Sequence, residues 1–139
     1  MIEIADDLET FNAYALEQGW SDGLPLIPPT EARVERMLAQ YPQTAAEVVA
    51  QLPVENADCT VEKIAINAVM AGCRADYMPV LIAVVQAVAD PAFNLTGIQA
   101  TTNPVAPLII VNGPIRQQLG INSAYGCFGP GRQANATIG

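Results

Sequence analysis

Apolar residues recur along this chain in blocks whose spacing changes from segment to segment. In Asp6 to Gln18, Leu8, Phe11 and Ala15 fall on one helical face, with Asp6 or Asp7 as cap and Gly19 as stop. Asp22-Gly23 then marks a turn, and Pro25, Pro28 and Pro29 predict an extended stretch. Thr30 can cap a helix over Glu31 to Gln40, whose apolar side carries Val34, Met37 and Leu38. The β-branched run from Glu47 to Val54, with Pro53 near its end, predicts a strand. Cys59-Thr60 opens the clearest helix. Thr60 is its cap, and Val61, Ile64, Ala65, Ala68, Val69 and Gly72 follow the i, i+3, i+4 rule.

Asp76 can cap a further helix to about Ala89, with Pro79 tolerated in the first turn and Asp90-Pro91 ending it. Met78, Val80, Leu81, Ile82, Val84, Val85 and Val88 make this helix apolar nearly all round, which predicts burial on most sides. Leu95 to Thr101 and Leu108 to Val111 are predicted strands, the second an unbroken apolar run expected to be buried on both faces. A short helix over Ile115 to Leu119, stopped by Gly120, leads to the Gly-rich segment 126–131. Residues 133–138 look like the first turns of another helix. So short a helix is not stable by itself, so its completion is expected from a partner chain or from a second half separated by cleavage. The pattern as a whole predicts a single α/β unit over residues 1–139: a small sheet with helices packed on it, completed by a second polypeptide or a missing C-terminal half.

Composition sharpens that expectation. The hydrophobic fraction is 51% and the charged fraction 14%, against roughly 25% charged in ordinary soluble domains. Part of the apolar surface is therefore expected to face a partner rather than water. The most apolar stretch, Pro79 to Ala89, is shorter than the ~20 residues a spanning helix needs. No basic segment precedes an apolar one at the N-terminus, so neither a membrane span nor a secretion signal is read, and a cytoplasmic location is expected. Net charge is −8, and the six basic residues are scattered along the sequence, which argues against nucleic-acid binding. Three cysteines occur without a CxxC pair, and histidine is absent. That speaks against a disulfide framework, and it means that any Cys-His or Ser-His pair must draw its base from elsewhere.

The segment from Asn112 to Asn135 is the main candidate site. It is a loop rich in glycine and small polar residues beyond a predicted buried strand, the place where α/β sheets gather ligands. Cys127 is the candidate nucleophile, Arg132 the candidate clamp for a carboxylate or phosphate, and Gly129 and Gly131 would let backbone N–H groups approach the ligand. Asn112, Ser123 and Asn135 join them as substrate-binding candidates. Asp22 in Trp20-Ser21-Asp22-Gly23 is a candidate base or ligand, although most Asp-Gly pairs are only turns. Thr101 and Thr102 form a third polar loop. No cofactor is indicated; a metal ion would find Cys127 and Cys59 as candidate ligands, Cys59 by virtue of a helix N-terminus that favours its thiolate.

Three stretches together resemble the UGSC-like family of bacterial proteins, some labelled as selenoprotein- or thioredoxin-related. They are Gly19-Trp20-Ser21-Asp22-Gly23-Leu24-Pro25 with Pro28-Pro29-Thr30, Thr60 through Arg74, and Asn112-Gly113-Pro114 through Gly129-Pro130-Gly131-Arg132 to Gly139. The resemblance implies no particular reaction. The selenocysteine- or cysteine-Gly-Ser-Cys motif behind the family's label is missing, so a redox role is not carried over. Family members continue past Ala136-Thr137-Ile138-Gly139, which again implies a second portion. The expectation is a subunit of a heteromeric cytoplasmic enzyme, a hydrolase or a lyase/hydratase, acting on a small anionic molecule at a site shared between polypeptides. The rival expectations are a non-catalytic assembly or regulatory subunit, and a thiol redox or metal-binding module.

Overall fold

The computed structural model describes residues 7–53, 56–129 and 131–139. Asp6 as an alternative cap, Val54 at the end of the first predicted strand, and Pro130 in the Gly-rich loop lie outside the described residues. The chain runs through α1 (Leu8–Glu17), α2 (Glu31–Leu38), β1 (Val48–Leu52), β2 (Ala57–Thr60), α3 (Val61–Met70), α4 (Met78–Ala89), α5 (Leu95–Ala100), α6 (Pro114–Gln118) and α7 (Gln133–Ile138). Single 3-10 turns at Ala75–Tyr77 and Pro91–Phe93 flank α4. It is an α/β unit whose small sheet is the antiparallel pair β1-β2, with α4 packed against β1.

Local chemistry accounts for several boundaries. The Asp7 carboxylate accepts from the Thr10 amide and starts α1, and Gly19, at φ +70°, lets the chain leave it. Thr60 Oγ1 accepts from the Lys63 amide at 3.2 Å and caps α3, as its sequence predicts. Thr30 holds the corresponding place before α2 but makes no such bond. Gly72 gives α3 a left-handed exit (φ +79°) beside the Ile27 side chain. There the Ile27 amide donates to the Met70 carbonyl, tying the proline-rich stretch to the end of α3. Asn12 helps from α1, its amide group exchanging hydrogen bonds with the Leu26 backbone in both directions.

Two apolar clusters result. One gathers α2, α3 and the inner face of α4 around Met37, Val61, Ile64, Ala65, Met78 and Ile82. The other joins Tyr77 and Val80 to Leu119 and to Ala134 of α7. The start of α4 thus serves both, which explains its nearly all-round apolar sequence. Pro79 occupies its first turn as expected, but Asp76 does not cap it. Asp76 sits in the preceding 3-10 turn, ion-paired with Arg74.

Two expectations are corrected. Leu95–Ala100 is helix, not strand: Asn94 adopts the left-handed conformation (φ 54°) and its side chain accepts from the Gly97 amide, which launches α5. Leu108–Val111 forms no strand, because a ladder needs a partner and none is supplied among the described residues. It is not buried on both faces either: Leu108 and Ile110 are 63% and 72% exposed, while Val111 packs on the second cluster. Cys59 directly precedes Thr60, the cap of α3, as expected, and it also belongs to β2, paired opposite Ala50. The short α7 forms as predicted and is docked on its own chain. Ala134 is buried, Gln133 Nε2 donates to the Gly72 carbonyl at 2.9 Å, and the Cys73 thiol donates to the Thr137 carbonyl at 3.0 Å.

No single helix among the described residues is long and apolar enough to cross a membrane.

Candidate functional site

The Gly-rich loop is built around two asparagines. Asn135, on α7, accepts from the Asn122 amide at 2.8 Å and donates from Nδ2 to the carbonyls of Asn122 (3.0 Å) and Cys127 (3.1 Å). Asn122 in turn accepts from the Ala124 amide and donates to the Tyr125 carbonyl. Gly126, at φ +77°, provides the left-handed step that lets the loop close so tightly. These bonds fix the loop against α7 and set Cys127 in the wall of a cleft of about 450 Å3, within the range of roughly 300–1,000 Å3 typical of small-molecule sites.

Three sequence candidates meet in this cleft: Cys127, Ser123 and Asn135. Asn135 does so as a clamp, since both of its N–H groups and one oxygen lone pair are engaged by the loop. Much of the apolar lining comes from residues 107–111, with Phe128 also taking part. Arg116 of α6 also lines the cleft, half-buried, with one Nη1 bond of 3.3 Å to the Ile121 carbonyl. No acidic side chain is part of the lining.

The other candidates lie elsewhere. Arg132 and Gly131 are exposed outside the cleft lining, and Gly129 gives its amide to the Gly126 carbonyl at 2.9 Å. The Cys127 amide is likewise bonded, to the Ala124 carbonyl. The Gly129 and Cys127 amides, two donors of the expected anion cradle, are therefore already engaged by the loop's own carbonyls. Asn112 is exposed beside the lining residue Val111. Asp22 closes its own turn, accepting from the Leu24 amide at 3.0 Å, while Ser21 donates to the Leu24 carbonyl. Thr101 does the same for Asn103, and Thr102 is exposed. Trp20 meets Tyr14 edge to face at 5.5 Å.

The cysteines differ in chemistry. Burial pushes the Cys59 thiol up, only partly offset by the charge of Lys63, so the helix-start effect expected to favour its thiolate does not prevail. Burial also pushes the Cys73 thiol up, against its hydrogen bond to Thr137. Cys59 packs on the first apolar cluster, away from the Cys127 cleft, and among the described residues no three Cys, Asp or Glu side chains gather as a metal site would require.

Arg116 is the residue that motif reading passed over. Its signal is a charge asymmetry: all 14 acidic residues precede residue 91, and beyond it only Arg116 and Arg132 are charged. A cation in a charge-poor, partly apolar cleft can hold a carboxylate through paired N–H groups, strengthened by the reduced solvent. Cys127 supplies a thiol and Ser123 a hydroxyl. What the cleft lacks is a base to take the thiol proton.

Fold and cleft together define an α/β unit with a cleft lined by a thiol, a hydroxyl and a guanidinium group. No family model, curated protein or solved structure matches the chain.

Proposed function

We propose that this chain is a subunit of a heteromeric cytoplasmic enzyme, a hydrolase or a lyase/hydratase, whose substrate is a small organic anion. The observation that supports this reading is the cleft that joins Cys127 and Ser123 to Arg116 with no carboxylate in its lining. Arg116 takes the anionic group, the wall of residues 107–111 takes the apolar remainder, and Cys127 attacks. The general base, or a metal ion in its place, comes from a second polypeptide, because the chain has no histidine and the lining has no acidic side chain. The resemblance to the UGSC-like family belongs to the same proposal.

The test is turnover by the chain purified together with whatever assembles on it, using a panel of esters, amides and hydroxy acids of small carboxylates. Cys127→Ser and Arg116→Gln should abolish turnover while the assembly keeps its size. Full activity in Cys127→Ala removes the thiol mechanism.

A second reading, a non-catalytic assembly subunit, draws on the apolar residues at the cleft mouth: Leu108, Ile110 and Phe128 all point outward, Phe128 at 87% exposure. It predicts that Leu108→Asp dissolves the assembly while Cys127→Ser leaves every activity of the complex unchanged.

A further inference from the structure

Cations are scarce in this chain, six against 14 acidic residues, and are dispersed in the sequence. Folding nevertheless brings half of them to one place. Arg33 and Arg36 of α2 and Arg74 beyond the exit of α3 line a second cleft, of about 330 Å3, whose lining has no acidic side chain. Its apolar part is Ile27, Met37 and Val69.

The arginines are braced rather than loose. Arg33 and Arg36 stand three residues apart, hence on one face of α2. Arg33 donates from Nη1 to the Pro28 carbonyl at 2.8 Å, and Arg36 from Nε to the Ala32 carbonyl at 3.3 Å. Each keeps its remaining N–H groups for other partners. Arg74 donates from Nε to Asp76 at 3.0 Å, pairs with it again through Nη2, and lies 5.0 Å from the centre of the Tyr77 ring. Arg74–Asp76 is the only ion pair among the described residues, so Arg33 and Arg36 carry two charges that no carboxylate there offsets.

We propose that this cleft binds a small phosphate monoester, its dianion held by the three guanidinium groups and its organic part laid on Ile27, Met37 and Val69. The charge count favours phosphate. A phosphate monoester brings roughly −1.5 to −2 charges at neutral pH on three oxygens that planar forks can approach from several sides. A single carboxylate brings one charge and one bidentate face. The cleft shares no lining residue with the Cys127 cleft, so the inference stands apart from the reaction proposed there.

The experiment is calorimetric titration of the full chain carrying Arg116→Gln, which takes the guanidinium out of the Cys127 cleft, with phenyl phosphate at low ionic strength and with inorganic phosphate and succinate for comparison. Expected is one-site saturable binding, tighter for phenyl phosphate than for inorganic phosphate because only the former covers the apolar surface. Arg36→Gln should weaken it about tenfold, a charged hydrogen bond's worth, and Arg33→Gln/Arg36→Gln further. Arg36→Lys, which keeps the charge and loses the fork, should fall between. Arg36 is exposed, so its variants are expected to fold, which circular dichroism checks. The proposal is overturned if phenyl phosphate shows no saturable binding, if succinate binds as tightly, or if the Arg33→Gln/Arg36→Gln double change leaves binding as it was.

Discussion

Asn135→Ala removes a single side chain and with it the three hydrogen bonds that hold the Cys127 loop to α7. Each such bond is worth about 1 kcal/mol net, so the loss is about 3 kcal/mol. Alanine is the better helix former, which returns about 0.5 kcal/mol at this position in α7. The net expectation is a destabilisation of about 2.5 kcal/mol. Urea denaturation followed by circular dichroism measures it, with the slope of the transition showing whether unfolding remains one cooperative step. Because the Cys127 carbonyl is released, iodoacetamide should also label Cys127 faster, and the Asn122 amide should exchange faster with deuterium. Asn135→Asp separates the two polarities of the clamp. It keeps an acceptor for the Asn122 amide but points a carboxylate at two carbonyl oxygens, so it should cost at least as much as alanine. A change under about 0.5 kcal/mol in Asn135→Ala, the range of ordinary surface substitutions, with unaltered labelling of Cys127, would refute the view that this side chain builds the site.

Three further outcomes follow from the packing and capping of the fold. Thr60→Ala should lower stability by about 1 kcal/mol through loss of the α3 cap, whereas Thr60→Ser should be nearly neutral in the same urea assay. Ile82→Ala, at a position 2% exposed in the first cluster, should cost about 2–5 kcal/mol by cavity formation. At alkaline pH, Cys59, Cys73 and Tyr77 all hold their protons more tightly folded than unfolded, because burial disfavours their anions. The unfolded chain therefore loses protons first, so this contribution is intact below the ordinary thiol value of 9.0 and is lost as pH rises through the folded values. The urea midpoint should fall above that pH, and the fall should be shallower in Cys73→Ala; a midpoint flat in pH would contradict this.

Much of the helical frame was legible because its signals are local. Thr60 and the spacing from Val61 to Val69 specify α3 without reference to anything distant, and Gly19 and Gly120 mark helix ends by their left-handed backbones. Sheet structure was less legible. The strand at Val48–Leu52 could be read from its β-branched run, but Ala57–Thr60 is a strand only because β1 lies beside it. Leu108–Val111 shows the converse, since high β propensity yields no strand where no neighbour supplies a ladder. Asn94 decided α5 through one left-handed residue and one side-chain bond, which outweighed the apolar content of Leu95 to Thr101. Glycine and cysteine composition pointed to the loop that carries Cys127 into the cleft lining. The Asn122–Asn135 clamp spans 13 residues and has no sequence period. Arg116, and the meeting of Arg33, Arg36 and Arg74, depend on tertiary placement that a scan for charge runs does not register.

The central claim is that Arg116 makes the Cys127 cleft a place for anions, and charge-selective alkylation tests it most directly. Iodoacetate and iodoacetamide are nearly the same size and differ by one negative charge. Labelling rates at each cysteine, read by mass spectrometry at low ionic strength, should show a higher iodoacetate-to-iodoacetamide ratio at Cys127 than at Cys59 or Cys73, and Arg116→Gln should bring that ratio down to theirs. An equal ratio at all three cysteines, or one at Cys127 that survives the loss of Arg116, would contradict the account.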